Sequence, residues 1–390
     1  MLFAEKAKRS KKSGEESLKL KELPSSGLQG KSFSGNLPSH NCNLKVATPK
    51  LNEVDETWYY IKQGKSTAFS TRKAKAQTRV NSYKKLFKRG AEITPRNFFF
   101  IELSQEKPSD WEDRIINIKT SNSIKGDSKA PWKGNDLSGK IESRFLFRTA
   151  LSKSILPFAL FAPDLIVLPV TIEHNSDKDK REVKLHSAVE LMREGYLNAS
   201  KWFQSAENIW NIHRTEKNRK ITAIDYLNWN NKLVSQNINS PFLVIYNASA
   251  KDANATIVER SHFDLEFFVD TKAYAFYTNS INEAYYLTAI LNSTAPNLLM
   301  KDFQSKGLFG ARDVHKKILD IYYPKFDKND PIHKELSELS KQSHHKTNKY
   351  INDNPPRELS AIHLGKLRVA IKKNLSEELK KIDALVKKIL

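Results

Sequence analysis

From Thr57 to Ala91 the chain carries ten Lys or Arg residues and no Asp or Glu. The run leads into Gly90-Ala91-Glu92-Ile93-Thr94-Pro95-Arg96-Asn97-Phe98-Phe99-Phe100, which reads as a turn feeding an aromatic strand. A block of like charge on its own is a solvated tail. Here Trp58, Tyr59, Tyr60, Phe69, Tyr83, Leu86 and Phe87 interrupt the block, so the segment has apolar side chains with which to anchor on a core. Cations held at fixed positions on a folded surface are what a phosphate backbone requires, because registered charges release its condensed counterions. The run therefore predicts a folded, nucleic-acid-binding surface.

The whole chain agrees with that expectation. Its 390 residues carry a net charge of +21, with a pI near 9.6. Such a balance favours a polyanionic partner, although a protein with a diffuse positive surface has the same arithmetic. With 39% apolar residues the chain is long enough for one large core and a smaller module. Its one cysteine, Cys42, excludes a disulfide framework and a cysteine-based zinc site, which points to reduced cytoplasm. No apolar run approaches the roughly 20 residues of a membrane span, so no membrane partner is expected. The opening Met-Leu-Phe-Ala runs at once into Lys6, Lys8 and Arg9 and is no secretory signal. The Asn-X-Ser/Thr matches at Asn198, Asn247, Asn254 and Asn292 are accordingly read as chance.

Residues 1–55 are rich in Ser, Lys, Gly and Pro without apolar period, and read as a disordered or weakly ordered basic leader. Residues 56–330 read as a mixed-strand recognition domain and residues 331–390 as a helical segment, so the expected class is α+β. Strand-like blocks are 97–103, 155–161, 165–170, 242–246, 263–269 and 273–277. Residues 111–139 look like a long polar loop, and 175–182 like a charged one. Helical spacing marks 187–213 with a break at Gly195, then 221–233 and 282–299. The tail should form helices over 333–350, 359–373 and 376–390, the last with Leu379, Ile382, Leu385, Val386 and Ile389 on one stripe.

Three constellations point toward catalysis, and each has a plainer reading. Asn354-Pro355-Pro356-Arg357 is one residue from the Asn/Asp-Pro-Pro-aromatic motif of amino-methylating enzymes, which hold a flipped base. Arg replaces the aromatic and no strand precedes it, so an interhelical turn is expected. Asp164 followed by Glu182 and Lys184 has the outline of a magnesium-dependent nuclease core. Here the charged loop lacks a strand to place the last two. The scattered histidines have no ligand spacing, so no metal site is expected. Phosphate-loop and dinucleotide glycine motifs are missing.

A more specific segment runs from Phe303 to Lys317. Gly307 and Gly310 tighten the backbone beside Gln304, Lys306, Arg312, His315, Lys316 and Lys317, donors suited to phosphate and base edges. Its plainer reading is a structural loop in which Arg312 and Asp313 pair internally.

The order of segments resembles the C-terminal, target-recognition half of large N6-adenine DNA methyltransferases and fused restriction–modification enzymes. The stretches that carry the likeness are Tyr83 to Phe100, Leu156 to Leu160, Glu283 to Ser293, Gln304 to Lys317 and Pro324 to Asp327, within residues 56–390. The resemblance implies a module that reads double-stranded DNA beside a catalytic subunit that methylates or cleaves. The leader stands where that family has its catalytic domain. Methyl transfer by this chain alone is therefore not expected, and S-adenosylmethionine would belong to a separate or missing domain. Such a chain would be a recognition subunit or the remnant of a split gene. In this reading Lys84, Lys85, Lys88, Arg89 and the Lys and Arg residues of 304–317, Lys306 and Lys316 among them, hold phosphates, and His315 is a further DNA-binding candidate. Arg96, Asn97, Gln304 and Arg312 are the candidates for base edges, since Arg suits guanine and Asn or Gln suits adenine. The rivals are a stand-alone magnesium-dependent endonuclease built on Asp164, Glu182 and Lys184, and a general basic nucleic-acid binder.

Overall fold

The computed structural model describes residues 26–36, 44–63, 66–73, 79–307 and 310–390; Cys42 and the first 25 residues lie outside that set. The chain divides into two compact units, Met1–Val80 and Asn81–Leu390. The basic run therefore belongs partly to each. The fold is α+β, as expected.

In the first unit an antiparallel sheet takes the order β1 (Leu28–Ser34), β2 (Asn52–Gln63), β3 (Ser66–Ser70), with a helical turn α1 (Leu44–Ala47) between β1 and β2. The aromatic and β-branched series Thr57-Trp58-Tyr59-Tyr60-Ile61 suits a pleated strand. Leu28 faces Trp58 and Ser34 faces Asn52, so the expected leader boundary at residue 55 falls inside a strand. Tyr60 and Phe69 meet edge to face across β2 and β3, at 5.6 Å between ring centres.

The second unit holds two larger sheets. One has the order β7 (Ser138–Glu142), β6 (Ile115–Thr120), β5 (Phe100–Leu103), β11 (Asp164–Val167), β8 (Leu146–Thr149), every pair antiparallel. The stretch expected as a polar loop thus contains β6, whose Ile116 and Ile118 alternate into the core, and a short helix α3 (Asn122–Asp127). Before β5 the chain makes a single helical turn, α2 (Arg96–Phe99), where a longer strand was expected. Short strands β9 (Ile155–Leu156) and β10 (Ala159–Leu160) fold on each other around Phe158, whose φ is +59°. A hairpin, β12 (Val170–Asn175) with β13 (Lys180–Leu185), takes up half of the expected charged loop, leaving a turn at 176–179.

Ser187 caps α4 (Ala188–Arg193) in a reciprocal box with Glu190. Gly195, at φ +88°, breaks the chain before α5 (Leu197–His213), as its position predicts. The Glu142 carboxylate accepts the Asn198 and Ala199 N–H groups at 3.0 and 2.8 Å, fixing α5 against β7. Trp202 on α5 donates its indole N–H to Phe98 at 2.9 Å. The helix expected at 221–233 shortens to α6 (Ala223–Leu227), because Asn230 and Asn231 adopt positive φ.

The other sheet has the order β15 (Ala255–Glu259), β14 (Phe242–Asn247), β16 (Ala273–Thr278), β4 (Lys88–Arg89). The strand expected at 263–269 is reduced to an isolated bridge, Arg148 to Phe267. Along β14 Val244 and Tyr246 enter one core while Leu243 and Ile245 enter another, the alternation of a strand buried on both faces. The first of these cores is roofed by α7 (Ile281–Asn292), α8 (Thr294–Met300), α9 (Pro331–Asp353), α10 (Ala361–Asn374) and α11 (Ser376–Ile389). Extended backbone at Ser293 splits the single helix expected at 282–299 into α7 and α8. The buried Asn292 amide accepts from Ala255 N–H at 2.9 Å and donates to Ala255 C=O at 2.8 Å, so this end of α7 clamps β15. Asn354 to Arg357 connect α9 and α10, the interhelical turn anticipated. Strands β17 (Ser305–Gly307) and β18 (Gly310–Arg312) form a small ribbon.

Candidate nucleic-acid interface

The basic segment after Asn81 is held by the apolar residues within it. Asn81 accepts the Tyr83 N–H at 2.9 Å and donates to the Ile321 carbonyl at 2.7 Å, which fixes a tight turn over Ser82–Lys85. Tyr83 and Phe87 are fully buried; Tyr83 meets Phe276 edge to face, and Phe87 packs against Phe276 and Tyr246. Each such aromatic contributes roughly 2–3 kcal/mol. The Tyr83 hydroxyl donates to Glu283 at 3.0 Å and accepts the Phe326 N–H at 2.8 Å. Leu86, expected among the anchors, is instead 49% exposed.

With Tyr83 and Phe87 inward, the lysines between and after them face out. Lys85 and Lys88 are exposed and have no ion-pair partner among the described residues. Lys84 pairs with Asp320. Arg89 is half-buried and donates from Nε to the Thr271 carbonyl at 2.9 Å. Pairing of Lys88 with Ala275 and Arg89 with Tyr274 makes this segment the edge of the second sheet. The following Gly90 passes so close to the 269–270 backbone that a Cβ there would lie 2.2 Å from the Val269 oxygen, so only glycine fits.

The Arg312–Lys317 segment arrives at the same place from the other end of the chain. Val314 is buried, while Asp313 and His315 adopt φ of +69° and +40° on either side of it. The His315 N–H bonds Ala248 at 2.9 Å, and its carbonyl accepts the Tyr246 hydroxyl at 2.7 Å. Lys316 then donates to the Lys84 carbonyl at 3.0 Å and sits 5.9 Å from the Tyr274 ring centre. Two segments of the chain are therefore joined directly through partners 232 residues apart.

Their charges interact. Burial pushes the Lys316 ammonium below its usual range, and Lys88 and Lys84 push it further. Burial also lowers His315; Asp313 opposes this, while Arg89, Lys317 and Lys272 reinforce it. Cations crowded enough to depress each other's protonation gain when an anion arrives. Lys272, at the turn into β16, belongs to this group and was missed in the sequence. A lone lysine before a strand carries no pattern of its own.

The candidates for base contact divide differently. Arg312 is exposed, 3.9 Å from Asp313. Asn97, however, is buried: its amide donates to Trp132 C=O at 3.2 Å and Asp136 at 3.1 Å, and its oxygen accepts from Ser128 at 2.6 Å. Gln304 is likewise buried and donates to Ala250 C=O at 3.3 Å. Both amides serve the scaffold, a correction to the base-edge expectation. Arg96 is half-buried, its Cζ 5.7 Å from the Phe100 ring centre. Lys306 lies in β17, with its side chain outside the described set.

The residues of the nuclease outline take separate partners. Asp164 on β11 has its carboxyl pushed upward by burial, against Lys153 and Arg96. Glu182 pairs with Lys178, and Lys184 with Glu173 and Glu194; Glu182 and Lys184 lie on β13 rather than in a loop. Among the described residues no group of three His, Cys, Asp or Glu is arranged to hold a metal ion, and no helix is long and apolar enough to cross a membrane.

No family model and no characterised protein matches the chain in sequence. Among solved structures it is similar to the Type IIL restriction-modification enzyme MmeI in complex with DNA, with a TM-score of 0.45 and 10% identity over 78% of this chain and 32% of that one. It is also similar to the type IIG restriction endonuclease BpuSI, with a TM-score of 0.30 and 10% identity over the same shares. The chain thus spans about a third of the length of either enzyme. At that level of superposition neither assigns a role to any residue here.

Proposed function

We propose that these residues form the DNA-binding, target-recognition module of an N6-adenine DNA methyltransferase or restriction–modification system, acting with a catalytic domain or subunit. The observation that carries the DNA-binding part is the joining of Lys84–Arg89 to Arg312–Lys317 through the Lys316–Lys84 contact. Lys85, Lys88, Lys272, Lys316 and Lys317 supply charge to phosphates, and their buried neighbours fix its register. Arg312, exposed on that segment, is the candidate for a base edge, since its fork suits guanine. Methyl transfer, with its S-adenosylmethionine, would fall to that catalytic part.

The test is duplex binding as a function of salt, followed by selection from a random duplex library. Engagement of about five phosphates gives a log–log salt slope near −4 to −5. Flat binding from low to moderate salt would remove the phosphate clamp. One short enriched sequence supports target recognition; tight binding that enriches nothing leaves a general basic binder instead, and magnesium-dependent cleavage lost in Asp164→Ala would establish the nuclease.

A further inference from the structure

The second unit also contains a cleft of about 620 Å3, within the roughly 300–1,000 Å3 typical of small-molecule sites. Its wall includes Trp132, Trp210 and Tyr226. The two indoles lie parallel, 8° apart and 5.5 Å between ring centres, and Tyr226 continues the row 5.2 Å beyond Trp210. Trp210 is buried whereas Trp132 is half-buried, so the row presents an accessible ring. At 5.5 Å the indoles are already in contact, leaving no room between them; a further planar group would have to extend the row.

The same cleft is lined by Arg96, Lys129, Arg214 and Lys272, against a single carboxylate, Asp127. The Arg96 Nε is buried and has no acceptor among the described residues. Arg96 also faces the carboxyls of Asp164 and Asp270, but Lys129, Arg214 and Lys272 still outnumber the one lining carboxylate and favour an anion, and the aromatic row favours a planar ring. Nucleotides combine both features, with a base for the rings and a phosphate for the guanidinium and ammonium groups. Lys272 lines the cleft and also belongs to the charges that depress His315. The cleft and the basic face therefore share a residue.

From these observations we infer that the cleft binds a single unstacked nucleotide, its base extending the Trp132–Trp210–Tyr226 row and its phosphate held by Lys129 and Arg214. Free nucleotide and a nucleotide displaced from bound DNA share this chemistry; only the second source rests on the reading of the basic face.

The test uses the full chain. Deoxynucleoside 5′-monophosphates, deoxynucleosides and inorganic phosphate are titrated while tryptophan fluorescence is followed. In parallel, duplexes carry one 2-aminopurine, paired or looped out. The monophosphates should quench saturably and more tightly than nucleosides or phosphate if the free ligand is the source. If the DNA strand is the source, looped-out 2-aminopurine should be quenched on binding while the paired probe is not. In either case Lys129→Glu/Arg214→Glu should weaken the signal at least tenfold with an unchanged thermal midpoint. Trp132→Phe, which keeps a ring in the row, should weaken it about threefold. No saturable response from either probe, or one indifferent to both variants, overturns the inference. Unmodified duplex affinity, read beside it with Lys85→Glu/Lys88→Glu, shows separately whether the basic face has failed.

Discussion

Arg368 and the Lys84–Lys88 face show two fates of a basic residue in one unit. Arg368 on α10 is satisfied by the chain: its guanidinium donates to the carbonyls of Ser152, Lys153 and Ile155, the last two at 3.1 and 3.0 Å. Burial lowers its pKa to about 10, still far above neutrality, so it remains a cation clasping the turn before β9. Lys85 and Lys88 stand over buried aromatics but reach no acceptor among the described residues, and Lys316 spends one bond on a carbonyl while remaining near two other lysines. A cation bonded to carbonyls is part of the scaffold. A cation crowded by its own kind is available to a polyanion.

Breaking each side should separate stability from affinity. The largest effect is expected from Arg368→Met, which leaves three buried-side carbonyls without their donor; we expect a loss of about 2–4 kcal/mol in denaturant unfolding. Duplex affinity below the unfolding transition should be unchanged. Lys85→Glu/Lys88→Glu should do the opposite: duplex affinity about 30-fold weaker near 0.1 M salt, a salt slope shallower by about two, and stability within about 0.5 kcal/mol.

A smaller effect sharpens the role of burial itself. Asp270 is fully buried, accepts the Lys272 N–H at 2.8 Å, and is pushed up to about 7 by burial, against Arg96 and that bond. Since its folded pKa lies above the unfolded value, the folded chain keeps a proton that the unfolded chain releases above about pH 4. Its contribution is complete below that pH and is lost as pH rises through about 7. Asp270→Asn should therefore flatten the fall in stability between pH 5.5 and 8 by about 1–2 kcal/mol, measured by unfolding at both pH values. An unchanged profile would show that the carboxyl is already ionised at the lower pH. The smallest effect is assigned to Arg312→Gln: about tenfold less discrimination at one base pair, read by competition, with affinity for random duplex within threefold.

Much of the fold was legible because it depends on local rules. The tail helices lie within a few residues of their expected bounds, since amphipathic spacing and strong helix formers act locally. Gly195 ends α4 where its conformational freedom predicts. Strand β6 was hidden because Ile115 to Thr120 is short and surrounded by polar residues, and its place was set by pairing with β5 and β7. The helix expected at 282–299 looked continuous because extended backbone at Ser293 has no strong local signature.

For the interface, the sequence by itself determined that the surface would be basic and that aromatic residues would anchor it. Only the tertiary structure decided that Lys84–Arg89 and Arg312–Lys317 meet, that Lys272 joins them, and that Asn97 and Gln304 are enclosed. Charge and hydropathy belong to a residue wherever it stands, so they survive in the sequence. A hydrogen-bond partner and a near neighbour of like charge are supplied by distant parts of the chain, so they exist only once the sheets have formed.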